Sequence, residues 1–192
     1  ENFNQNSKLL PSTGSAQAGT LKNGIKKEVT VKNESGSEDS YVRVHIAIPA
    51  ILDNGSDTFD AGKNVLHFNY ASGSIGEGKW DWSKTAGAPY EGDWNYYETT
   101  IDEIPYHVYV ITYGSKLKAG EVTAEEAIHQ VYLDSKVSSS DIEKINKALK
   151  NDISIKVVAE GVQAEGFDNA YDALNAGFGV PGTYDIAWPN AK

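Results

Sequence analysis

A chain of 192 residues with 40% hydrophobic side chains suffices for one buried core, and 18 Gly with 6 Pro is too ordinary a content for a collagen-like or linker-like polymer. The formal charge of −10 argues against a nucleic-acid or anionic-membrane binder, because release of condensed counterions needs a basic face. The absence of Cys removes disulfides, thiolate metal sites and cysteine nucleophiles.

Residues 1–25 are a polar lead with scattered apolar side chains at Phe3, Leu9, Leu10, Leu21 and Ile25 and no helical period. Such a segment is either disordered in the monomer or extended against a partner. Within it, Leu10, Pro11, Ser12, Thr13 and Gly14 spell a sortase signal, but at the wrong end of the chain, so they read as a turn. Alternation then begins. Lys26 to Asn33 reads as a strand through Val29 and Val31, and Tyr41 to Ile48 as a second, with Val42, Val44, Ile46 and Ile48 on one face. Asp53 to Lys63 is loop-like; Asp53, Asn54, Asp57 and Asp60 lack the spacing of a calcium loop and read as a solvated turn.

Val65 to Tyr70 is a further strand candidate, and Tyr106 to Tyr113 alternates again, Val108 and Val110 facing one way and His107, Tyr109, Ile111 and Tyr113 the other. Thr123 with Glu126 predicts a capping box opening a helix through Ala127, Ile128, Val131 and Tyr132. Ser140 with Glu143 predicts another, with Ile142, Ile145 and Leu149 at helical spacing. Ile153 to Ala159 reads as a strand, and Asp168 as the cap of a third helix, Asn169 to Ala176, stopped by Gly177. The expected fold is mainly β, an antiparallel sandwich decorated by short helices, with residues 1–25 an extended segment and 26–192 one sandwich domain.

Little in the sequence carries reaction chemistry. His45, His67, His107 and His129 lie at least 22 residues apart, which rules out a helical zinc motif, and no G-x-S-x-G marks a serine nucleophile. A site assembled across strands stays open, since His45 and His107 both sit in alternating runs, but a lone strand histidine reads first as a structural or surface residue. No catalytic residue, metal or cofactor is expected. The aromatic residues from Trp80 to Tyr97 read first as packing, and Trp80, Trp82 and Trp94 are also candidates for stacking on sugars. No Met occurs anywhere, so the expectation is a chain processed at Glu1, most naturally by export with signal-peptide removal. No apolar run approaches the roughly 18 residues of a membrane helix, so membrane insertion of the mature chain is not expected.

Three stretches resemble the TasA and camelysin family of exported bacterial proteins. They are Val29 to Val44 (VTVKNESGSEDSYVRV), Tyr106 to Leu133, where VYVITYGSKLKAGE leads toward a helix ending VYLD, and Ile153 to Phe178, with VVAEGVQAEGFDNAYDAL. They cover just over a third of the chain, in the family's order. The resemblance implies a jelly-roll sandwich secreted to the bacterial surface, forming biofilm-matrix or pilus-like fibres as a head-to-tail homopolymer, with an anchoring or accessory matrix protein as a further partner. It also implies that the N-terminal segment of one subunit adds as a strand to the next. The donor-strand candidates are Glu1, Asn2, Phe3, Asn4, Gln5, Asn6, Ser7, Lys8, Leu9 and Leu10, with Phe3, Leu9 and Leu10 as apolar anchors. The alternatives are a camelysin-like secreted metallopeptidase and a glycan-binding surface adhesin.

Overall fold

The two runs with the clearest period-two alternation form the centre of the fold. In the computed structural model, which describes residues 25–53, 66–69, 77–81, 96–128, 130–134, 136–150 and 153–189, β1 (Ile25–Lys26) is followed by β2 (Ser40–Pro49), β3 (Leu66–Asn69), β4 (Trp80–Asp81), β5 (Tyr96–Ile101) and β6 (Ile104–Tyr113). β7 (Gln130–Leu133), α1 (Ser139–Ala148), β8 (Lys156–Gln163) and α2 (Ala170–Phe178) complete the chain order. β2 pairs antiparallel with β6 on one side and with β8 on the other. β5 and β4 take successive lengths of the far side of β6, opposite 104–109 and 112–113. A smaller antiparallel sheet has the order β1-β7-β3. Among the described residues no helix is long and apolar enough to cross a membrane.

Val42, Val44, Ile46 and Ile48 of β2 and Tyr109, Ile111 and Tyr113 of β6 line one face of the larger sheet. They share a core with Val131 and Leu133 of β7 and with Ile145 and Leu149, at the inner side and end of α1. Both sheets and one helix thus bury their apolar faces together, and that burial is the main favourable term in folding. The opposite face of the larger sheet is covered as well. α2 lays Ala170, Ala173 and Leu174 over Tyr41, and Trp188 of the tail packs on Ala47, Ile101, Tyr106 and Val108. All but the first residue of β2 are therefore buried, polar ones included.

Several local expectations are corrected. The helix predicted from Thr123 is not formed; 130–133 is the strand β7. Thr123 Oγ1 accepts from the Val31 amide at 3.2 Å instead of capping its own segment, and Val29 exchanges backbone bonds with Ala127 and Ile128. Lys26 to Asn33 is regular only at β1, and beyond it the chain runs beside 120–128 as an irregular ladder. The cap of α1 is Ser138, not Ser140: its hydroxyl accepts from the Asp141 amide while the Asp141 carboxylate accepts from the Ser138 amide. α2 is capped by Asn169, not Asp168, and ends at Gly179, whose φ of +96° suits glycine. Gly177 serves packing, since a Cβ there would lie 3.0 Å from Val162 Cγ2. The strand expected over Ile153 to Ala159 begins three residues later, as β8.

Candidate functional site

Arg43 and His45 alternate with the apolar residues of β2 and so point to the face covered by α2 and the tail. Both are buried, Arg43 2% and His45 0% exposed. Register sets Glu160 of β8 directly opposite Arg43, and the Arg43 Nε donates to Glu160 Oε2 at 2.5 Å. Arg43 Nη1 donates to Asn175 Oδ1 at 2.9 Å and Nη2 to the Gly179 carbonyl at 3.0 Å, which ties the strand to the end of α2. Tyr184 closes the cluster. Its hydroxyl accepts from Arg43 Nη2 at 2.6 Å and donates to the Glu160 carboxylate at 2.8 Å, and His45 Nε2 lies 2.9 Å from Glu160 Oε2.

Burial by itself would raise the Glu160 pKa. The hydrogen bonds from His45 and Arg43 outweigh it and hold the carboxyl at about 2, below its ordinary 4.5. Tyr184 is pushed up by burial and by its bond to that carboxylate. With its folded pKa depressed, Glu160 contributes stability fully above pH 4.5, and the contribution fades as pH falls toward 2. The gap in thermal midpoint between the wild-type chain and Glu160→Gln should therefore narrow across that window. A gap independent of pH would refute the assignment.

A second cluster lies on the inner face near the rim. Tyr109 donates to Asp53 Oδ2 at 2.5 Å, and His107 Nδ1 lies 3.2 Å from the same oxygen. Tyr96 stacks on the His107 ring at 4.1 Å between centroids. The Tyr96 hydroxyl pKa is raised by burial and by the charges of Asp53 and Glu98. An open cavity of about 240 Å³ lies beside the pair, its lining including Glu98, Thr100, Pro105 and His107. Asp53 is thus not part of a solvated turn: it is 3% exposed and works as an acceptor inside the fold.

Of the sugar-stacking candidates, Trp80 is fully buried. It packs 5.1 Å from Tyr113 between ring centroids, and its Nε1 donates to the Glu125 carbonyl at 2.8 Å. A ring enclosed in this way presents no open face to a sugar, which corrects that expectation for this residue. Trp82 and Trp94 lie outside the described residues, as do the donor-strand candidates Glu1 to Leu10. His45 and His107 are buried members of the two clusters, not surface residues. Among the described residues no group of three or more His, Asp or Glu side chains converges as a metal site. Sequence reading missed both clusters because their members lie far apart in the chain. The one sequence-level signal was polar residues recurring at alternate positions of a strongly apolar strand, Arg43 and His45.

The chain matches no family model, no curated protein and no solved structure.

Proposed function

We propose that the chain is the structural subunit of an extracellular protein fibre, in which residues 1–10 of one copy add as a strand to a sheet edge of the next. The observation that carries the reading is where the polar lead joins the sheet. Among the described residues β1 is an edge strand, its two residues pairing with Val131 and Gln130, so the 24 residues before it lead into that sheet edge. On the larger sheet, β8 has β2 as its one strand neighbour among the described residues. Strand edges carry backbone donors and acceptors that an extended peptide can satisfy, with main-chain bonds giving affinity and side-chain pockets giving register. A head-to-tail contact of this type does not close on itself, so it propagates as a filament. The three stretches that resemble the TasA and camelysin family support the same reading, with export to the bacterial surface as its setting.

The test compares the full chain with a variant lacking residues 1–10, by electron microscopy and sedimentation after concentration. The full chain should form regular filaments, and the shortened one should remain monomeric with an unchanged thermal midpoint. Filaments of normal length from the shortened chain would defeat the proposal. Zinc-dependent proteolysis by the monomer, or its retention on a glycan array, would move the reading to the metallopeptidase or the adhesin.

A further inference from the structure

The inner-face cluster contains a confrontation that hydrogen bonding leaves unresolved. Asp53 Oδ2 lies 3.2 Å from His107 Nδ1, which leaves Nε2 as the ring nitrogen turned away from that carboxylate. Nε2 in turn faces Glu98 Oε1 at 3.9 Å, too far for a hydrogen bond. Glu98 and His107 are directly opposite on β5 and β6, so the backbone register holds the two groups on one face. Behind the ring, Asp53 and the stacked Tyr96 fix its orientation; in front, Glu98 is 79% exposed at the cavity.

We propose that His107 Nε2 and Glu98 bind a divalent transition-metal ion, with Asp53 as the carboxylate that orients the histidine and with water filling the remaining positions. Two donors 3.9 Å apart leave room for an ion bonded at about 2.0–2.2 Å to both. A carboxylate on the far nitrogen of a metal-binding imidazole fixes its tautomer and raises its basicity. Imidazole with carboxylate suits Zn²⁺ and Cu²⁺, copper binding the more tightly. The two carboxylates also balance the charge of the ion. With two protein donors and an open cavity, the site is one for reversible binding, unlike a closed structural zinc site. It does not depend on the fibre reading.

The experiment titrates ZnCl2 into the full chain at pH 7.5 by calorimetry and follows the histidine rings by long-range ¹H–¹⁵N NMR. The expected result is a change at His107 Nε2 while Nδ1 stays protonated, with Glu98→Gln weakening binding at least about tenfold and Asp53→Asn about 10–100-fold. Glu98 is so exposed that its substitution leaves the fold intact, which keeps the test decisive even where Asp53→Asn lowers stability. If both ring nitrogens carry protons and Zn²⁺ leaves the spectrum unchanged, His107 is an imidazolium bridging two carboxylates and the proposal fails. It fails equally if zinc binds with the same affinity to Glu98→Gln and His107→Gln.

Discussion

Glu160→Ala should lower the stability of this protein by about 3–5 kcal/mol, because it leaves the Arg43 guanidinium buried without its counter-charge. Arg43 is 2% exposed, and none of its other partners, Asn175, the Gly179 carbonyl and Tyr184, carries negative charge at neutral pH. For a domain of this size the cost corresponds to roughly 6–20 °C in thermal midpoint. Replacing both members by apolar residues of similar volume, Arg43→Met with Glu160→Leu, should cost less than Glu160→Ala alone, since the dominant penalty is the orphaned charge and not the lost bond. A double variant as unstable as the single one would show that the cluster stabilises through its geometry instead. The effect should also be local. Tyr184 and the Gly179 carbonyl belong to the segment that leads into the tail, so cleavage after residue 179 by a dilute protease should quicken before global unfolding does.

Trp80→Ala should be of similar size, about 3–5 kcal/mol, for a different reason. The ring is fully buried in the shared core beside Tyr113, and its removal opens a cavity that the rigid sheet cannot close. It also orphans the Glu125 carbonyl. Trp80→Phe separates the two contributions: it keeps most of the ring and loses the indole N–H, and it should cost about 1–3 kcal/mol. Chemical denaturation of the two variants measures both. If Trp80→Ala proved neutral for stability, the packing assigned to this residue would be wrong and its availability to a ligand would have to be reconsidered.

The strands at 40–49 and 104–113 were legible because each side of the ladder carries its own run of β-branched and aromatic residues, a pattern with one physical reading. Segment 123–133 was not. Its apolar residues Ala127, Ile128, Val131 and Leu133 satisfy helical and extended spacings alike over so short a length, and Thr123 with Glu126 mimics a cap. Pairing with Val29 and Val31 decided for the extended form, a contact across 92 residues for Thr123. β5 was missed for a local reason. Its hairpin to β6 turns through Asp102 and Glu103, both at positive φ, where a sequence reader looks for Asn-Gly.

The sequence by itself determined which residues share a face: the alternation in β2 and β6 and the helical spacing of Ile142, Ile145 and Leu149 follow from backbone geometry, which repeats every two or 3.6 residues whatever lies nearby. What covers each face was decided by the tertiary structure. Taken alone, Arg43 and His45 belong to the polar, solvated side of a strand. α2 and the tail, more than 120 residues further on, bury that side and oblige the polar groups to satisfy one another through Glu160, Asn175 and Tyr184. The same holds at the rim, where Asp53, Glu98 and His107 come from three separate elements and acquire a shared chemistry through strand register and loop position. Local periodicity fixes a side chain's direction, and long-range contact fixes the dielectric and the partners it meets there.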